Sequence, residues 1–252
     1  MTAAIPAPRR RIFHACERHD PRPRDQRRLR QAWASWDELY ANGSMIPCHC
    51  WKYPRDATSI GDSRALPFLK DVLLFAMNQA GPEDLIVLTN DDVWLHPAIA
   101  SVLLFQTSVY ECCSAQRVDF HQAVPSKMSP EKLAELGEGH LGRDLFAFTK
   151  RWLEFYWNGI GDFVLGCSEW DLCLSAMIRL HHGITTQRNN YAAVIFPAEI
   201  PRGYVCHQKH EAQWMHPDYV DRSPAQIHNR TLFREFGDKH LPRLKFLEGN
   251  VI

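Results

Sequence analysis

The chain reads as an α/β protein, a single domain whose mixed, mainly parallel sheet is flanked by helices. Three observations predict this. Apolar runs of strand length, DLIVLT (84–89) and DLFAFT (144–149), are bounded by turn residues. Through the first half such runs alternate with segments of helical period, the pattern of a layered α/β sheet. With 252 residues and 45% hydrophobic content, the chain can also bury a sizeable core.

The elements follow in order. RIFHAC (11–16) suits a first strand, and the polar loop ERHDPRPRD leads into a helix over 25–41. Leu29, Trp33, Trp36 and Tyr40 fall on one helical stripe there, which marks a buried face. SMIPCHCW (44–51) reads as a second strand interrupted by Pro47. Gly61-Asp62-Ser63 is expected to cap a second helix that runs to about Gln79, where Gly81-Pro82 breaks it. DLIVLT is the third strand, residues 97–107 are helical, and YECCSAQRVDF is extended. Residues 121–140 are polar and carry Pro and Gly, as an excursion would. After them come DLFAFT, an aromatic stretch RWLEFYW, a helix near 169–181, a strand YAAVIFPAEI and a His-rich tail.

Composition narrows the class. Net charge is zero and charged residues make up 23%, as in a soluble globular protein. No apolar run approaches the ~20 residues of a membrane span. The start MTAAIPAPRRR has no apolar core after its basic residues, unlike a secretory signal. A cytoplasmic location is the expectation. The eight Cys then read as free thiols rather than a disulfide framework. Cys48-His49-Cys50 could bind zinc, but no second pair has zinc-finger spacing.

The chemistry centres on Asn90-Asp91-Asp92, which follows the third strand directly. In open α/β sheets ligands bind beyond the carboxyl ends of the strands. Adjacent carboxylates there repel unless a cation or hydrogen-bond donors hold them, and hard oxygens suit Mg²⁺ or Mn²⁺. An Asp before an apolar run is also a common helix cap. Nine arginines stand among residues 9–30 against three acids, a local excess of six positive charges. A bound anion, a diphosphate or nucleic-acid phosphate, would relieve the conflict of arginine at a helix start. A solvated tail explains Arg9, Arg10 and Arg11 equally well; Arg18 and Arg24 are the two tied to the site.

Strand-T-N-D-D-V resembles the DxD-type motif of GT-A-fold glycosyltransferases, in variants with Asn first. DSRALPFLKDVLLFAMNQAG, SAQRVDF, GRDLFAFTKRW with DFVLGCSEWDLCL, and HQKHEAQWMH resemble further segments of that family, so the likeness spans most of residues 11–230. The resemblance implies a GT-A-like, Rossmann-like domain over 11–252 behind a basic tail at 1–10. Within it, 11–120 would be the nucleotide-sugar half and 121–252 the acceptor half. It implies that Asp92 ligates a divalent Mn²⁺ or Mg²⁺, with His207 or His210 completing the site. His207 is favoured because Val205 and Cys206 place it at the end of an apolar segment. His14, Arg18, Arg24, Asp62, Arg64, Asn90, Asp91 and Arg117 would contact the nucleotide sugar, UDP-glucose first among candidates. Asp171, with Glu169 second, would be the catalytic base. Alternatively, Ser168 caps the helix there and both acids merely favour its positive end.

The compact build further resembles the base J type of DNA glucosyltransferase and its phage relatives, which glucosylate hydroxymethylated pyrimidines. That implies double-stranded DNA bearing 5-hydroxymethylcytosine as acceptor, and no membrane partner. Trp152, Phe155, Tyr156 and Trp157 are compatible with holding an extruded base, or with core. A glycan or small-molecule acceptor is the alternative within the class; a metal-dependent nuclease or nucleic-acid-binding module is the alternative outside it. A zinc-protease reading of His207, His210 and His216 is poor, because H-Q-K-H-E lacks the H-E-x-x-H order.

Overall fold

The computed structural model describes residues 10–16, 26–50, 52–182, 198–210 and 223–244. Arg18, Arg24, His216, the tail up to residue 9 and most of the YAAVIFPAEI run lie outside them. In chain order the elements begin β1 (Ile12–Ala15), α1 (Gln26–Ala41), β2 (Ile46–Cys48), α2 (Leu69–Met77), β3 (Leu85–Thr89), β4 (Val93–Leu95) and α3 (Ile99–Tyr110). They continue β5 (Cys112–Phe120), α4 (Pro130–Leu136), β6 (Glu138–Thr149), α5 (Lys150–Tyr156), α6 (Trp170–His181), β7 (Glu199–Ile200), β8 (Val205–Gln208) and α7 (Pro224–Leu244).

The strands form one sheet in the order β2-β1-β3-β6-β5-β8-β4, with β7 beside β5. Its flanks are parallel, β1 with β2 and β3, and β5 with β7 and β8. The long β6 runs antiparallel to both β3 and β5, and β4 is antiparallel to β8. The sheet is therefore mixed rather than mainly parallel, within a Rossmann-like α/β domain. All five residues of β3 are buried, as expected of a strand covered on both faces.

One connection dictates the shape. Only three residues separate β3 from β4, yet four strand steps lie between them in the sheet. Four steps of a flat sheet span ~19 Å, whereas Thr89 and Val93 can stand at most ~15 Å apart along the chain. The sheet must curl. Register shifts in β5, between Ala115 and Gln116 and between Gln116 and Val118, supply bends of the kind that bulges introduce. Helix α1 closes the curl. Trp33 Nε1 donates to the Asp91 carbonyl and Trp36 Nε1 to the Val93 carbonyl, both at 2.9 Å. The aromatic stripe of α1 thus fills core and also holds the crossing segment.

Several elements differ from expectation. Gly61-Asp62-Ser63 does not cap α2: a short 3-10 turn (Ala57–Ile60) closes on Gly61 at φ +85°, and α2 begins only at Leu69. Pro67 explains the delay, since proline disfavours helix in the residue before it. The 121–140 excursion contains α4, capped by Ser129 with Pro130 in its first turn, and the start of β6. After the His-rich segment comes α7. Asn229, fully buried, bonds both the N–H and the carbonyl of Val164, and also the Ser168 carbonyl. Gln226 bonds Ser168 and Glu169. The last helix thereby fixes the loop that leads into α6.

The eight cysteines are free, and seven of them are buried. Cys48, His49 and Cys50 form no metal-ligating group of three among the described residues. No described helix is long and apolar enough to cross a membrane.

Candidate metal-binding and acid–base site

The curled sheet brings three ends together. Register pairs His207 of β8 with Asp119 of β5 on one side and with Val93 of β4 on the other. Asp92 immediately precedes Val93, so it stands beside His207 although 115 residues separate them in sequence. His207 Nε2 lies 3.3 Å and His210 Nε2 3.0 Å from the same oxygen, Asp92 Oδ2. Asp92, His207 and His210 form one of two described groups whose ligand atoms all lie within 4.8 Å of one another. A shared helical face for the two histidines is ruled out, because His207 sits on a strand and His210 just beyond it.

His207 is nearly inaccessible, and its Nδ1–H donates to Asp119 Oδ1 at 3.0 Å. That bond fixes the ring and turns Nε2 toward Asp92, the carboxylate–histidine arrangement that supports metal ligands. Nε2 is buried and makes no well-formed hydrogen bond despite its closeness to Asp92. Two lone-pair atoms facing at that distance need a positive charge between them: a proton on the imidazole, or a cation. The residues present therefore fit a divalent ion. Burial opposes charge on Asp92, yet His207, His210 and Arg28 together hold its carboxyl well below the usual carboxylate range. For His207, burial opposes the proton, and Asp119 with Asp92 outweighs it, raising the imidazole.

Nothing in the arginine-rich start marks Arg28, which donates to Asp92 Oδ2 from α1. Arg10 and Arg11 instead pair with Glu83 and Asp84.

A second network adjoins the first. Arg117 reaches Asp119 at 2.8 Å and Asp144 at 2.7 Å. Asn90 Nδ2 donates to the other Asp144 oxygen at 2.6 Å. Asp144, itself buried, therefore joins two of the residues expected to contact the nucleotide sugar. It also bears on Asp171, the expected base. Burial, then the charge of Asp144, then that of Glu169 push the Asp171 carboxyl up to about 7. Such a group accepts a proton most effectively near neutral pH.

Asp171 lies in the first turn of α6, yet Ser168 is not its cap. Ser168 binds Gln226, and the cap position falls to Glu169, whose side chain makes no cap bond and whose φ is +77°. A non-glycine residue in that region is strained. The Glu169 carboxylate accepts from Gln226 and lies 3.7 Å from Arg230.

Other expected contacts stand elsewhere. His14 is fully buried, with Nδ1 on Tyr40 OH at 2.7 Å and Nε2 on Thr89 Oγ1 at 2.8 Å. It braces the end of β3 from within the core and presents no surface to a ligand in this structure. Asp62 is also buried: its carboxylate accepts from Arg64, Ser223 and the Ala225 N–H at the start of α7. Arg64 bonds Asp62 and Ser223, so the pair is placed as an anchor for α7. Asp91 sits at the half-buried crossing beside Asp92, its carbonyl held by Trp33.

The aromatic cluster lies at the wrong end for a base extruded into this site. It follows Thr149, which pairs with Leu85 at the start of β3, whereas Asp92 follows the end of that strand. Trp152 is core, stacked on Phe148 with ring centroids 4.7 Å apart.

Asp119 and Asp144 carry one legible signal: each is an acid directly beside apolar strand residues, and such an acid must find a partner when buried. No protein-family model matches the chain, and no curated protein matches it.

Proposed function

We propose that the chain is a divalent-metal-dependent glycosyltransferase that moves a hexose, glucose first, from a UDP-sugar to a hydroxyl acceptor. One observation carries the reading. Asp92, His207 and His210 converge at the carboxyl edge of the sheet, and a half-buried carboxylate held near neutrality, Asp171, is coupled to that edge through Asp144.

Asp92, His207 and His210 would hold the ion, and the donor set of one carboxylate and two imidazoles favours Mn²⁺ over the oxygen-loving Mg²⁺. When bound, that ion supplies positive charge for the diphosphate leaving group. Arg28 and Arg117 add fixed positive charge on the same side. Asp119 keeps the His207 ring in register. Asp171 accepts the proton of the acceptor hydroxyl as its oxygen attacks the sugar, a task suited to its raised proton affinity.

The acceptor proposed is 5-hydroxymethylcytosine in duplex DNA, on the strength of the family resemblance. Incubation with labelled UDP-glucose, Mn²⁺ and duplexes bearing cytosine, 5-methylcytosine or 5-hydroxymethylcytosine tests it. Label confined to the hydroxymethylated duplex is the expected result, and label on none retires the DNA acceptor. Thermal unfolding tests the class separately. UDP and Mn²⁺ together should stabilise the protein more than either alone; a response to DNA without that synergy would favour a binding module.

A further inference from the structure

We propose that a second metal site, of zinc type, lies at the opposite end of β5 and is built from Cys112, His181 and His182. These residues form the other described group whose ligand atoms lie within 4.8 Å of one another. Cys112 opens β5, while His181 ends α6 and His182 caps it. Six strand residues separate Cys112 from Asp119, which puts the two groups roughly 20 Å apart.

The geometry suits a tetrahedral ion. Zinc–sulfur bonds of about 2.3 Å and zinc–nitrogen bonds of about 2.0 Å place sulfur and nitrogen about 3.6 Å apart across the tetrahedral angle. Cys112 Sγ and His182 Nε2 are 3.6 Å apart. His181 is oriented by its other nitrogen, Nδ1, which lies 3.0 Å from Tyr156 OH, so Nε2 faces Glu111. Glu111 Oε2 lies 3.9 Å from that Nε2, while Oε1 is held by Arg151. Glu111, whose carboxylate adjoins His181, is the residue that would move in as a fourth ligand. A thiolate, two imidazoles and a carboxylate are a donor set that zinc accepts and that Mg²⁺ and Ca²⁺ do not favour.

The backbone adds to the fit. Helices α3 and α6 both end here, with Glu111 and His182 as their C-terminal caps. Two helix C-termini direct negative partial charge at the same point, which favours a cation. Cys112 is fully buried, and the histidines retain partial exposure through which an ion can enter. An ion there ties together the α3–β5 junction and the end of α6, whose first turn carries Asp171.

Cobalt(II) titrated into the metal-stripped full chain tests the site. A thiolate-to-cobalt charge-transfer band should appear, with an intensity of one thiolate-bound ion per chain once both groups are filled, and bleach when zinc is added. Asp92→Ala should keep the band, because the Asp92 group offers no sulfur. Cys112→Ser should lose it. His182→Gln keeps the thiol and serves if the serine variant does not fold; cobalt affinity should fall by more than about tenfold. No band in the parent protein means only a thiol–imidazole hydrogen bond and overturns the proposal. A band undiminished in Cys112→Ser, or an affinity unmoved in His182→Gln, does the same.

Discussion

The two ends of β5 make a natural comparison. At its carboxyl end Asp119 pins His207 against Asp92, with His210 beside them. At its amino end Cys112 meets His182 and His181. In both places an imidazole is oriented through one nitrogen, by Asp119 at one end and by Tyr156 at the other. The surroundings differ. The Asp92 end sits on a chain crossing, ringed by Arg28, Arg117 and further carboxylates. The Cys112 end sits where helices stop. Charge-rich crossings suit a charged, exchanging ligand, whereas a buried thiol tucked between helix ends, protonated until an ion displaces the proton, suits a resident ion. One strand thus separates a candidate catalytic centre from a candidate structural one.

The sharpest break in that comparison is Asp92→Ala. It should abolish transfer from UDP-glucose and remove the joint stabilisation by Mn²⁺ and UDP, as read by thermal unfolding. Persistent synergy would move the ion elsewhere.

Next in size is Asp171→Asn, expected to lower turnover by about 10²- to 10⁴-fold while leaving the Mn²⁺–UDP stabilisation in place. Parent activity should rise with pH through about 7, as Asp171 loses its proton. The same group makes a stability prediction. Its folded pKa is raised from 3.8 to about 7, so its contribution is full below pH 4 and is lost as pH climbs through 7. Asparagine escapes that loss, so the variant should gain roughly 2 kcal/mol over the parent at pH 8, allowing for residual solvent contact. Urea unfolding at pH 5 and pH 8 measures the difference; equal gains at both would contradict the raised proton affinity.

Asp119→Asn should be milder. Losing the carboxylate behind His207 typically weakens a metal site by about 10- to 100-fold. The expected signature is a raised Mn²⁺ requirement with turnover recovered at saturating metal. The smallest effect belongs to Cys112→Ser, with Mn²⁺–UDP synergy within about twofold of the parent if the two ends act separately.

Much of the first site was legible before any fold was known. A buried-type strand running into paired acids marked Asp92, and an apolar segment ending in histidine marked His207. Other parts were not. Nothing local distinguishes Arg28 from eight neighbouring arginines, because its role depends on where α1 crosses the sheet. Asp144 stands at the head of an apolar run, and its role depends on Arg117 and Asn90, which are distant in sequence. Helix α7 escaped notice because Gly237 and Pro242 interrupt its pattern and its first turn is held by distant partners, Asp62 among them. The aromatic stretch after Thr149 left two readings open, an extruded base or core, and position separates them: Trp152 is core, whereas Phe155 is exposed.

By itself the sequence determined most of the element types, α4 and α7 apart, and the chemistry available at each strand end, because burial period, turn residues and side-chain donors are local properties. It also determined which atoms could ligate a hard ion and which a soft one. Only the tertiary structure decided which of those atoms meet. The meeting of Asp92 with His207, and of Cys112 with His182, depends on a short crossing that forces the sheet to curl and on strand register. Both are set by packing across the whole domain.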